Sequence, residues 1–146
     1  MLSGLCFAQE TNYLCYQSSS KAEIVKSRES HYTLTLQGDI DYVSYFSDRP
    51  ARQTGVMKLE DFLKFWSDTD IQNNFAENPP NVAIVMVAEN GQTHSAVATL
   101  TNPTRQPGHL AYQLRLLDSQ PIPQGKLQHI ALFFDDIHWN PGGFGK

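Results

Sequence analysis

Hydrophobic and polar residues alternate with a period of two over much of this chain. Between His31 and Gln37, Leu34 and Leu36 fall on one side and Thr33 and Thr35 on the other, as expected of a strand with one buried face. Gly38-Asp39 is a turn signal, and Tyr42 to Phe46 reads as the next strand. Thr93 to Thr101 alternates through Ala96, Ala98 and Leu100, and Leu110, Tyr112, Leu114 and Leu116 share one side of a further strand. Val82 to Ala88 and Ile130 to Phe134 are apolar on both faces, which suits central strands. Between Val82–Ala88 and Thr93–Thr101, Asn90-Gly91 has the sequence of a two-residue type I′ hairpin turn. Residues 9–30 are polar with little periodicity, except for Ala22-Glu23-Ile24-Val25, a short edge strand.

The period changes once. Leu59, Phe62, Leu63 and Trp66 fall at i, i+3, i+4 and i+7, which predicts an amphipathic helix over about 58–67. Glu60 and Asp61 occupy its first turn, where carboxylates suit the positive end of the helix dipole. Burying those four side chains is worth about 6–12 kcal/mol before entropy is subtracted, so Trp66 is expected to be structural. Arg52 to Gly55, Asn102 to Gly108 and Ser119 to Gly125 read as loops, and Asp68 to Asn81 as a connection whose Phe75 dips into the core. The predicted fold is mainly β: an antiparallel β-sandwich or an α+β sheet of six to seven strands, with one inserted helix after the third strand.

The chain has 146 residues, 40% of them hydrophobic and 18% charged, which suits a single domain able to bury its own core. A net charge of −4 with scattered Lys and Arg argues against nucleic acid, which needs a clustered cationic face. No apolar stretch approaches the roughly 20 residues of a membrane span. Met1 to Ala8 is uncharged and mostly apolar, with small Cys6 and Ala8 placed as the −3 and −1 residues of a cut after Ala8. Residues 1–8 are therefore read as a signal-peptide remnant and the protein as exported, periplasmic or secreted; an ordinary apolar terminus is the competing reading. Residues 9–30 form a polar segment, 31–139 a single β-rich domain and 140–146 a glycine-rich tail. Cys6 and Cys15 lack metal-ligand spacing, and nothing near Cys15 marks it as a nucleophile.

Three groups of residues are candidates for chemistry. Asp136 and His138 end an apolar strand on one face by alternation, where they could hold a divalent metal such as zinc or let a carboxylate orient an imidazole. Further ligands would have to come from His31, His94 or His109, and the competing reading is that acidic residues simply cap the turn. Asp48 and Arg49, with Arg52 nearby, suit a carboxylate or phosphate ligand, or else form an internal clamp on the loop. Among the aromatics, Phe46 and Tyr112 read as core, and Trp139 as an exposed anchor for a partner or sugar. No Gly-x-Ser-x-Gly elbow, P-loop, dinucleotide fingerprint or calcium loop is present.

The run Tyr45-Phe46-Ser47-Asp48-Arg49-Pro50, then Phe62 and Trp66, then Phe75 and Asn78-Pro79-Pro80-Asn81, resembles a group of uncharacterised small exported bacterial proteins. The resemblance covers roughly residues 32–136 and implies export and a single β-rich domain; it implies no activity, cofactor or functional residue. The expectation is a non-enzymatic binding or interaction domain without a cofactor, acting on a protein or small polar ligand. The alternative is a metal-binding protein or metal-assisted hydrolase built on Asp136 and His138.

Overall fold

A computed structural model describes residues 12–47, 52–67, 75–118 and 121–138. They form nine strands, β1 (Asn12–Ser19), β2 (Ala22–Arg28), β3 (His31–Gln37), β4 (Tyr42–Ser47), β5 (Thr54–Lys58), β6 (Asn81–Ala88), β7 (Thr93–Gln106), β8 (His109–Leu116) and β9 (Gly125–His138). One helix, α1 (Leu59–Ser67), follows β5 directly. The chain is mainly β, as expected, but it is not a sandwich. All strand pairs are antiparallel, in the order β2-β3-β8-β7-β6-β9-β1-β4-β5, and β2 also pairs with β9. That extra pairing closes six strands into a barrel, and β1, β4 and β5 extend from it as a flap.

Closure depends on how the first two strands share β9. Tyr16 to Ser19 pair with Phe133 to Ile130, and Ala22 to Ile24 continue along the same strand opposite Leu127 to Gly125. β1 and β2 are thus one run interrupted at Ser20-Lys21, and the run changes its second partner from β4 to β3 there. Ser19 holds the bend: its buried hydroxyl accepts the Lys21 N–H (3.0 Å) and lies 2.7 Å from the carbonyls of Lys21 and Gln37. A serine is suited to this place because its short hydroxyl competes for backbone groups that a bend leaves free.

Residues 9–30, expected to be polar and mostly irregular, therefore contain two strands of the sheet. Arg52 to Gly55 was expected to be a loop, yet β5 begins at Thr54. β7 runs through the stretch expected to be a loop after Thr101, as far as Gln106. It tolerates Pro103 because the register with β8 slips between Thr101 and Thr104, and Asn102 takes the left-handed conformation (φ 49°). A bulge frees the position from donating a ladder bond, which proline cannot do. The helix consequently follows the fifth strand rather than the third. The Asn90-Gly91 hairpin exists, but its turn is not type I′. The Gly91 N–H donates to Ala88 and the Ala88 N–H to Gln92, both at 2.9 Å, and of the turn residues Gly91 has the positive φ, 88°. This is the three-residue loop in which a glycine closes a type I turn.

Inward side chains fill the barrel: Leu34, Leu36, Ile84, Met86, Leu100, Leu110, Leu132 and Phe134 are fully buried. α1 lies over this interior between β7 and the β4–β5 ribbon. Leu59, Phe62, Phe65 and Trp66 are its buried residues, and Leu63 is only partly covered. Phe62 stands edge-on to Phe134 (5.0 Å between centroids), Trp66 (5.4 Å) and Phe65 (5.8 Å). Trp66 donates its indole N–H to the Leu100 carbonyl at 3.3 Å, and its ring lies 4.8 Å from that of Phe75. Phe75 packs against the core as expected. Such edge-to-face contacts satisfy the ring quadrupoles and add to the burial of apolar area.

Candidate functional site

The alternation that fills the barrel also decides what faces outward, and the two halves of the molecule differ. On β3 and β8 the outward positions carry His31, Thr33, Thr35 and Gln37, and His109, Ala111, Gln113 and Arg115. Across β7-β6-β9-β1-β4-β5 one outward row is largely apolar instead, although Thr93, Ser95, Asn81 and Thr54 are also exposed on these strands. The strand registers place Val97 beside Ala83, Ala83 beside Phe133, Phe133 beside Tyr16, Tyr16 beside Ser44 and Ser44 beside Val56. Val85 flanks this row on one side, and Leu14 and Phe46, themselves opposite one another, on the other. With strands about 4.8 Å apart the row spans about 24 Å.

Exposure is high at both ends of the band: Val56 is 62% exposed, Tyr42 59%, Phe46 51%, Val97 43% and Val85 42%. At its centre the rings of Tyr16 and Phe133 pack at 5.1 Å, so the middle is a formed surface rather than loose side chains. Within β1, β4 and β5, the outward positions from Leu14 to Ser18, Tyr42 to Phe46 and Thr54 to Lys58 include one charge, Lys58 at the margin. Isolated exposed apolar residues are ordinary, and what distinguishes this band is that its members adjoin across strands with so little charge. Phe46, expected to be core, belongs to this band.

Asp48, Arg49 and Trp139 fall outside the described residues. Arg52 is exposed with φ 49°, beside the base of the β4–β5 connection. That base is clamped by residues the sequence reading passed over. The Ser47 N–H donates to the Gln53 carbonyl and the Gln53 N–H to Ser47 Oγ, both at 2.7 Å, while Tyr13 donates its hydroxyl to Gln53 Oε1 at 2.7 Å. The available signal was a pair of polar residues flanking the connection, with strand residues on either side.

Asp136 and His138 lie at the end of β9, with side chains outside the described set. The β1–β9 register slips between the pairs Tyr13–Ile137 and Cys15–Phe134. The backbone also separates the histidines. His129 pairs with Val87 and His138 with Asn12, nine residues further along the strand, which is about 30 Å. His31 is opposite Arg115 and His109 opposite Gln37, at opposite ends of the β3–β8 pair. Among the described residues, no three His, Cys, Asp or Glu side chains are grouped to hold a metal ion. Among the same residues, no helix is long and apolar enough to cross a membrane.

A cleft of about 540 Å³ lies between the end of α1 and the β7 bulge, lined by Leu63, Trp66, Phe75, Asn102 and Pro103 among others. A hollow of about 500 Å³ beside the β2–β9 junction carries both signs of charge, from Lys21, Lys126, Glu23 and Glu89. The buried Cys15 has its thiol pushed up to about 12 by burial, so the thiolate needed of a nucleophile does not form at neutral pH. Compared with known proteins, the chain matches no family model, no curated protein and no solved structure.

Proposed function

We propose that this chain is a non-enzymatic interaction domain whose binding surface is the apolar band across β7-β6-β9-β1-β4-β5. The observation that carries this reading is the row Val97, Ala83, Phe133, Tyr16, Ser44 and Val56, solvent-facing and continuous over six strands. A monomer has no structural use for apolar side chains on this side, because the barrel core is already filled from within. Aromatic residues with little flexibility, such as Tyr16, Tyr42, Phe46 and Phe133, are the residue types that anchor protein interfaces.

Site-specific photo-crosslinking tests the reading. A photoreactive residue at Phe46 or Val97, at either end of the band, is expected to give one discrete adduct in the native cell. The same residue at Gln113, on the polar side of the barrel, is expected to give none. Equal labelling from all three positions, or turnover of a substrate by the purified protein, would overturn the proposal.

A further inference from the structure

We infer that the hollow beside the β2–β9 junction binds a short peptide, held by its free ammonium and carboxylate ends. Its place in the fold is set by two neighbouring irregularities. The β1–β2 run bends at Ser20-Lys21, and β9 carries an extra residue, Gln128, because Val87 is opposite His129 but Ala88 is opposite Leu127. The two sites adjoin, since Ala22 and Leu127, the residues beside them, are directly opposite each other. Bulges of this kind re-aim side chains and occur beside functional sites. The hollow that opens here, about 500 Å³, lies within the range of small-molecule sites.

Its walls are held in place. The Lys21 N–H donates to Ser19 Oγ at 3.0 Å, the Lys21 carbonyl accepts the Gln37 N–H at 2.9 Å, and Gln128 donates its side-chain amide to the Ala88 carbonyl at 3.0 Å. Ala22 and Leu127, each 3% exposed, line its apolar floor. Around that floor stand two lysines, Lys21 and Lys126, and two glutamates, Glu23 and Glu89. Glu23 is directly opposite Lys126 and two residues along from Lys21, so opposite charges alternate at backbone spacings of about 5–7 Å. A lining with equal numbers of each sign works against a phosphate or a metal ion, each of which would meet two like charges. It matches a ligand that is neutral overall and carries both signs. An extended dipeptide spans about 7 Å, which fits this spacing. Its ammonium faces Glu23 and Glu89 and its carboxylate faces Lys21 and Lys126, in charge-assisted hydrogen bonds. None of these residues belongs to the apolar band, so the site can fail while the band's role stands.

Calorimetric titration of the full chain with dialanine at neutral pH tests the inference. Saturable binding is expected, and N-acetyl-dialanine and dialanine amide, each lacking one charged end, are expected to bind about tenfold more weakly. Lys126→Gln and Glu23→Gln are each expected to weaken dialanine by about tenfold with the melting temperature unchanged, and Lys64→Gln, on the exposed side of α1, to leave binding as it is. If Glu23→Gln lowers the melting temperature, Lys21→Gln, at an exposed side chain, decides in its place. No binding up to about 10 mM, a concentration that would reveal even weak association, would overturn the inference. So would equal affinity for either capped peptide, which would mean that one sign of charge suffices, or variants that bind as the parent does.

Discussion

Tyr112 on β8 donates its hydroxyl to Gln17 Oε1 on β1 at 2.8 Å, joining residues 95 positions apart inside the barrel. Both are buried, and Gln17 Nε2 is left without a hydrogen-bond partner. The pair is a polar link in an apolar interior, and its two members depend on each other unequally. Gln17→Leu strands the Tyr112 hydroxyl and is expected to cost about 1–3 kcal/mol, whereas adding Tyr112→Phe removes the stranded group and recovers part of that loss. Urea denaturation of both single variants and the double variant measures it; additive losses would mean that the bond contributes nothing.

Gly55 and Tyr45 form a second dependent pair, on the flap. They are directly opposite on β5 and β4, and a Cβ placed on Gly55 would meet the Tyr45 hydroxyl oxygen at 2.5 Å and ring carbon Cζ at 2.8 Å. The tyrosine ring lies over the glycine, an arrangement that compensates a strand for its missing side chain. Gly55→Ala must push the ring away and disturb its edge-on contact with Tyr13 at 5.6 Å. A loss of about 1 kcal/mol is expected. In a Tyr45→Ala background the same substitution should cost nothing or stabilise, and thermal melts of the four proteins test this.

The buried thiol of Cys15 makes a prediction about pH. Burial raises its pKa from 9.0 to about 12 in the folded chain, and burial raises that of Tyr112 as well. Below pH 9 folded and unfolded states both hold the thiol proton, so its contribution is fully present. Above that the unfolded chain releases the proton first, and stability falls until the pH reaches about 12. Alkylation of Cys15 at pH 8 should therefore track unfolding rather than thiol ionisation, and Cys15→Ala should flatten the alkaline loss. Rapid labelling of the native protein would contradict the burial.

The strands whose inward residues are uniformly apolar, β3, β6, β8 and the middle of β9, were legible in the sequence, and so was α1. β1 was not, and the reason is physical. Its inward residues are Tyr13, Cys15, Gln17 and Ser19, while Leu14 and Tyr16 point outward, so the usual contrast between faces is scrambled. Phe46 was misread for the same reason, since an aromatic in a strand is ordinarily core. The feature that hid these elements is the apolar band itself. Barrel closure was also illegible, because it rests on Ala22 to Ile24 meeting Gly125 to Leu127, a pairing that local periodicity does not encode. Phe65 was overlooked because it lies off the a/d-like stripe; its ring packs against Phe75 at 5.5 Å and Phe62 at 5.8 Å.

Trp66 connects the helix to the barrel through its indole N–H to Leu100 and its ring against Phe62, Phe75 and Tyr112. Trp66→Ala removes a side chain of which 7% is exposed and is expected to cost about 3–5 kcal/mol, enough to abolish a cooperative melt in a marginal domain. Trp66→Phe keeps the ring packing and loses the N–H, and should cost less. An unchanged melting temperature in the alanine variant would show that α1 is not needed to close the barrel.

Asn102 separates backbone strain from side-chain packing at the β7 bulge. Its φ of 49° lies in the left-handed region, which asparagine tolerates and β-branched residues resist. The Thr104 hydroxyl donates to its carbonyl at 3.3 Å, which holds the two ends of the bulge together around Pro103. Asn102→Gly accepts the same conformation and is expected to leave stability within about 0.5 kcal/mol of the parent, because the entropy it adds to the unfolded chain offsets the strain it relieves. Asn102→Val must either bear about 1–2 kcal/mol of strain or let the bulge rearrange. Rearrangement would shift the β7–β8 register between Thr101 and Thr104, where Pro103 has no N–H to give, so the strain is the cheaper outcome. Denaturation curves for the two variants, with amide exchange at Thr101 and Thr104 as a local reporter, distinguish these cases. Equal stability of the glycine and valine variants would mean that the left-handed turn at Asn102 is not maintained.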